Sequence, residues 1–131
     1  MAESRRARRL WLAAGWLMLA AVLWGTLTPE PPDLAPPIPQ FDKLEHFGAF
    51  LLLTAWFCAA IRARRRWLWI AAAFVLLGGL IEIIQGWSGF RDAEWLDWAA
   101  DSAGALIALW LPALWLSRLH ERWVTGHAAG L

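Results

Sequence analysis

The sequence has a single cysteine, no tyrosine and few charged residues. Cys58 stands alone in an apolar run, so no intrachain disulfide can form and the redox compartment is not indicated. No Cys/His spacing typical of a metal site, no glycine-rich phosphate loop and no internal repeat of useful length occurs. These absences argue against zinc modules, nucleotide-binding loops and repeat architectures.

Apolar residues dominate instead. Of 131 residues, 60% are hydrophobic, 18% are charged and 12 are tryptophan. A soluble domain is roughly half apolar and about a quarter charged. A small core cannot bury this excess, and its arrangement in long runs predicts burial in a lipid bilayer.

Four segments are long and apolar enough to cross a bilayer, whose core of about 30 Å requires about 20 helical residues. They cover residues 10–27, 41–61, 67–85 and 98–116. The proline-rich stretch 28–40 is predicted to be an extended outer loop. We therefore expect an all-α membrane protein, a four-transmembrane-helix bundle in which residues 41–117 contain the last three spans.

A cleaved signal peptide is the alternative interpretation of the first span, because the basic residues 1–9 precede it. Its apolar run is longer than a usual signal core, and no A-x-A cleavage site precedes the prolines. A retained transmembrane helix is therefore the preferred prediction.

The distribution of arginine predicts how the chain is oriented across the membrane. Residues 1–9, the 62–66 connection and the tail 118–131 contain ten of the twelve basic residues, which leaves Lys43 and Arg91 on the other side. The positive-inside rule places both termini in the cytoplasm. Tryptophans near the span ends, Trp11 and Trp67 among them, fit interfacial positions. In the tail, His120 and His127 are expected to face solvent.

Ionisable residues concentrate at the outer ends of three spans. His46, Glu82 and Asp101 fall at a similar depth, a turn or so below the outer surface. Such side chains normally face the bundle interior, because exposure to lipid at mid-bilayer costs about 2.5–3.5 kcal/mol. A polar pocket open to the outer leaflet is therefore predicted. Its residues share helix faces or are outer cations: Asp42, Lys43, His46, Glu82, Gln85, Arg91, Asp97 and Asp101.

Two other interpretations concern single residues. Acids near a helix start are favourable caps, and for Asp97 alone this interpretation is preferred. Glu45, Asp92 and Glu94 are interpreted as solvated loop charges. Small residues would let the helices approach closely around the pocket. The candidates are Gly78, Gly79, Ala100, Gly104 and Ala108.

Two stretches, "DKLEHFGAF" and "EIIQGWSGFRDAEWLDWAADSAG", resemble the VanZ-like membrane family, named for teicoplanin-resistance accessory proteins. The resemblance covers about residues 41–108 and seven polar positions in the right order. These positions are Asp42, Lys43, His46, Glu82, Gln85, Arg91 and Asp97. It implies a multi-pass protein of the bacterial cytoplasmic membrane with an effect on glycopeptide susceptibility, and no general biochemical activity.

One position departs from the family pattern. The family usually has an asparagine where this chain has Asp101. A carboxylate only accepts hydrogen bonds, whereas an amide also donates. Asp101 is therefore expected to be protonated or to pair with Lys43 or Arg91.

Three functions remain open. In the preferred one, the pocket binds an anionic lipid or lipid-linked head group. Phosphate oxygens would be bound by Lys43, His46 and Arg91. Hydroxyl or amide donors of the head group would be bound by Glu82, Gln85 and Asp101. In the second, His46 is the general acid or base of a membrane enzyme that uses water, or a divalent metal held by His46, Glu82 and Asp101. In the third, the polar groups only hold the helices together. Membrane lipids are the expected partners, and no cofactor is expected. Nucleic-acid binding is not expected either, because the arginines lie next to the membrane, where they set topology and contact anionic lipids.

Overall fold

In the computed structural model, residues 2–30, 36–89 and 92–128 are described, and all regular structure within these ranges is helical. Five α-helices follow one another, with a short 3₁₀ helix at Arg64–Arg66. Their bounds are α1 Ala2–Leu27, α2 Phe41–Ala59, α3 Trp67–Ser88, α4 Trp95–Ile107 and α5 Leu111–Ala128.

Two of these helices are long and apolar enough to cross a membrane, within Ser4–Leu27 and Arg64–Ser88. A bent pair, Trp95–Ile107 with Pro112–His127, counts as a third span if it crosses as one unit. The first turns of α2 contain Asp42, Lys43 and Glu45, and α2 is not among these spans. The helices support a membrane protein.

The predicted fourth span, 98–116, is not one straight helix. α4 ends at Ile107, and the axes of the bent pair differ by 56°. Pro112 lacks an N–H, and it lies in the first turn of α5, where that N–H would have no intrahelical partner. The break therefore places Pro112 where it destabilises a helix least. The predicted tail 118–131 continues α5 as far as Ala128.

Aromatic and aliphatic side chains fill the centre of the bundle. α2 lies against α4 and α5, α3 packs on α4, and α1 packs on α5. One buried apolar cluster joins α2, α3 and α4 through Phe50, Leu53, Phe74, Ile81 and Ala105. The middle of the bundle is therefore mainly a close-packed apolar core, in which Thr54 is a buried polar residue, and the charged groups above and below this core lie toward the ends of the bundle.

A reciprocal tryptophan pair fastens α1 to α2. The rings of Trp11 and Trp56 stack with centroids 3.9 Å apart, and each indole N–H donates to the other residue's carbonyl oxygen, at 3.1 and 2.9 Å. Trp67 donates to the carbonyl of Ile61 at 2.9 Å. Trp67 begins α3, whereas Trp11 lies nine residues into α1. Both rings are buried inside the bundle, where their N–H groups bond to protein carbonyls.

Small residues allow α2 and α4 to approach closely. A Cβ added at Gly104 would overlap the carbonyl oxygen of Phe47 and lie 3.0 Å from the Leu51 nitrogen. Ala108 is fully buried, whereas Ala100 is only half-buried. The tight contact therefore centres on Gly104, below the polar end of both helices.

Candidate functional site

The polar site lies at the end of the bundle where α2 begins, α3 ends and α4 begins. Gly89 ends α3 in a left-handed conformation, with φ of 69°, which glycine adopts without strain. Glu94 immediately precedes α4. Polar side chains from the three helices meet at this end of the bundle.

Lys43 is the centre of an ion-pair cluster. Its Nζ lies 2.7 Å from Asp42 Oδ2 and 2.5 Å from both Glu94 Oε2 and Asp97 Oδ1. The side chains of Asp42 and Glu94 are 52% and 53% exposed, whereas that of Asp97 is only 12% exposed. The buried Asp97 carboxylate is therefore the partner that most needs the ammonium group.

His46 links this cluster to a deeper carboxylate. Its Nδ1 lies 3.0 Å from Asp101 Oδ1, and its Nε2 lies 3.6 Å from Asp97 Oδ2. Asp101 is completely buried, and among the described residues its ion partner is His46 and not the predicted Lys43. A Cβ at Gly78 would lie 2.8 Å from Asp101 Oδ2, so this glycine provides the space that the carboxylate occupies.

Glu82 accepts a hydrogen bond from the chain entering α4. Its Oε2 lies 2.8 Å from the backbone nitrogen of Glu94, and its side chain is buried. Its other oxygen, Oε1, is buried and has no hydrogen-bond partner among the described residues, and the same holds for Asp101 Oδ2. Among the described residues, these two acceptor atoms of the site are therefore without a partner.

Of the two remaining predicted site residues, one contacts a different helix and the other is not described. Gln85 Nε2 donates to the carbonyl oxygen of Thr26 at 2.7 Å, which ties α3 to α1. Arg91 lies outside the described residues. The structure thus brings together Asp42, Lys43, His46, Asp97 and Asp101, and it connects Glu82 to them through Glu94.

Glu94 is the site residue that sequence reasoning missed. It lies in the loop before α4 with its side chain 53% exposed, as a solvated loop charge would, but its carboxylate also pairs with Lys43 and its N–H donates to Glu82. The available signal was its place directly before the first apolar residue of α4, where helix caps occur.

The geometry does not favour the metal set of His46, Glu82 and Asp101. Among the described residues, the group whose ligand atoms lie within 4.8 Å of one another is Asp42, Glu94 and Asp97. The Lys43 ammonium is paired with all three of these carboxylates. A protein cation thus already occupies the place where a metal ion would bind.

An apolar groove between α3 and α4 runs alongside the buried Glu82. Its volume is about 580 Å³. Its walls are mostly hydrocarbon and indole, with Glu82 as the charged residue: Leu76, Gly79, Leu80, Glu82, Ile83, Gly86, Ala93, Trp95 and Trp98. The N–H of Trp98 is bonded to the carbonyl of Val75, so its ring faces Gly79 in a fixed position. The groove can hold an alkyl chain beside a carboxyl group.

Comparison with known proteins gave no relative. No family model, no curated protein and no solved structure matches this chain.

Proposed function

We propose that the chain is a four-pass protein of the bacterial cytoplasmic membrane, with both termini in the cytoplasm. The polar site then lies toward the outer leaflet, where it binds the head group of a membrane lipid or lipid-linked molecule. The distribution of arginine supports this orientation, because ten of the twelve basic residues belong to the cytoplasmic segments of this topology.

The free acceptor atom of Glu82 is the observation that carries the proposal. A buried polar atom without a partner costs about 1–3 kcal/mol, so it indicates a missing donor. Glu82 Oε1 is such an atom, and Glu82 lines the apolar groove between α3 and α4. A lipid whose chain lies in this groove can offer a donor from its head group to Oε1.

The chemistry of the cluster favours a head group with amine or hydroxyl donors. A phosphate would compete with Asp42, Glu94 and Asp97 for Lys43. No such competition exists for a donor that reaches Glu82. The donor-bearing part of the head group is therefore the part that the geometry supports best. We also propose that the head group carries an anionic group next to this donor, which Lys43 and Arg91 bind.

The resemblance to VanZ-like proteins supports the same kind of role. It rests on seven polar positions of the sequence: Asp42, Lys43, His46, Glu82, Gln85, Arg91 and Asp97. A protein that holds a lipid-linked envelope precursor could change susceptibility to glycopeptides that bind such precursors. This phenotype is proposed together with the site.

Replacing Glu82 by glutamine tests the donor contact. Glutamine keeps the shape and can still accept from the Glu94 N–H, but it can offer the groove an amide donor in place of an acceptor. We expect binding of phosphatidylethanolamine, measured by native mass spectrometry of the purified protein, to weaken about tenfold or more. Phosphatidylcholine, which has the same phosphate but no N–H donor, is expected to bind weakly to both proteins.

Glu45→Gln is the matched control, because Glu45 is exposed near the start of α2 and is not part of the ion-pair cluster. It removes the same charge from the same end of the molecule. Equal binding of the two lipids to the unaltered protein, or equal effects of the two substitutions, would contradict the proposal.

An enzyme is the second candidate, and one contact favours it. Asp101 holds His46 through Nδ1, which is how a carboxylate orients a general base. Nε2 then faces the polar end of the cluster, at 3.6 Å from Asp97. Water is the expected nucleophile for hydrolysis of a head group.

His46→Asn separates this candidate from binding alone. The asparagine amide takes the place of Nδ1 and keeps a donor for Asp101, but it cannot transfer a proton as imidazole does. We expect phosphatidylethanolamine binding to stay within about threefold, since a retained hydrogen bond leaves the site assembled. Release of a head group from vesicles by the unaltered protein, lost in His46→Asn, would establish catalysis; no release would exclude it for these lipids.

A further inference from the structure

A second cavity lies at the opposite end of the bundle. Its volume is about 850 Å³, and it lies between the start of α1, the connection from α2 to α3, and α5. Four arginines, one histidine and one acid are among its lining residues: Arg8, Arg62, Arg64, Arg66, His120 and Glu121. Positive charge therefore prevails in this cavity.

Contacts with the bundle hold two of these arginines in place. Arg8 Nη2 donates to the carbonyl of Ala60, at 3.4 Å. The Arg64 guanidinium lies 5.6 Å from the ring centroid of Trp67. Trp67 in turn bonds to Ile61, so the loop that carries the arginines is itself anchored. Two of the four arginines that line the cavity are thus held by contacts with the bundle.

His120 points to a missing ligand. It was predicted to face solvent, but it is only 8% exposed, because α5 packs back against α1 and sets its ring edge-on to Trp11. Its Nε2 is buried and has no hydrogen-bond partner among the described residues. A buried nitrogen in an arginine-lined cavity calls for a polar partner, and an anion that accepts hydrogen bonds provides one.

We propose that this cavity binds a phosphate group, with the arginines as ion partners and His120 as an additional hydrogen-bond donor. Guanidinium groups match phosphate oxygens in charge and geometry. The phosphate can belong to an anionic lipid of the adjacent leaflet or to a soluble phosphate compound. The site lies at the other end of the molecule from Glu82, and it does not depend on the function proposed there.

The test is a titration of the full-length protein in neutral detergent with phosphatidylglycerol, with bound lipid counted by native mass spectrometry. In the double variant Arg62→Gln, Arg66→Gln we expect affinity to fall about tenfold or more, because charge-assisted hydrogen bonds are lost. Arg9→Gln, Arg65→Gln is the matched control, since both arginines are exposed and neither lines the cavity.

His120→Phe adds a second readout. Phenylalanine keeps a ring against Trp11 but removes the nitrogen atoms. We expect weaker phosphatidylglycerol binding with an unchanged or higher melting temperature, because a buried unpaired polar atom disappears. A purely structural role of His120 would lower the melting temperature and leave lipid binding unchanged.

Competition by inorganic phosphate distinguishes the two sources. Displacement of the lipid by millimolar phosphate would support a site for phosphate groups of any origin, and resistance would support a site for lipid phosphate. Equal losses in the two double-arginine variants would overturn the proposal, since overall charge alone would then explain binding. So would equal affinity for phosphatidylcholine, which carries no net charge.

Discussion

Gly104→Ala is expected to lower the melting temperature of the purified protein by about 10 °C, which corresponds to about 3 kcal/mol. The new Cβ would overlap the Phe47 carbonyl oxygen and approach the Leu51 nitrogen. Both are backbone atoms, so no side-chain rotation relieves the overlap and α2 must move away from α4. The loss is expected near the upper end of the range for overpacked cores. Circular dichroism in detergent measures it.

Gly48→Ala is the control for this prediction. Gly48 lies on exposed α2 surface, and a Cβ there meets nothing within 4 Å. Alanine favours helix over glycine by about 1 kcal/mol, so the melting temperature should stay unchanged or rise. Equal decreases in both variants would show that close approach at Gly104 is not what stabilises the pair of helices.

Lys43→Met is expected to have the second largest effect on stability, a loss of about 2–3 kcal/mol. Methionine keeps most of the hydrocarbon stem but leaves Asp42, Glu94 and Asp97 facing one another without the ammonium group. Removing one partner of a buried pair costs about 3–5 kcal/mol. Two of these carboxylates are half exposed, so water offsets part of that cost. Thermal unfolding in low-salt detergent measures the loss.

Asp97→Asn in the Lys43→Met background provides the control. Asp97 is the most buried of the three carboxylates, so neutralising it removes the largest unpaired charge. We expect the double variant to recover at least half of the lost stability. A double variant that is less stable than Lys43→Met alone would indicate that Asp97 stabilises the bundle independently of Lys43.

Helix periodicity accounts for what the sequence predicted of the site. Residues four apart lie one above the other, so Asp97 and Asp101 share a face, and the structure places both against His46. Residues three apart are offset by about 60° around the helix axis. For this reason Glu82 lies beside the start of α4, whereas Gln85 reaches α1.

Tertiary geometry explains what the sequence did not reveal. The role of Glu94 depends on how closely the start of α4 passes Lys43 and Glu82, and residue spacing within one helix contains no information on that distance. The burial of His120 depends on the 56° bend between α4 and α5, which directs α5 against α1. Pro112 signals a break in the helix but not the direction of the bend.

The ion pairs of α2 also affect biogenesis. Lys43 and Glu94 are 51 positions apart in the chain, and His46 and Asp101 are 55 apart. In the proposed four-pass arrangement, α2 is therefore synthesised before α4, which contributes Asp97 and Asp101 to these pairs. Without these partners, its charged start is costly to place in lipid. We expect α2 to stay in the translocon or at the water interface until α4 is made, and the two helices then to enter the bilayer as a pair.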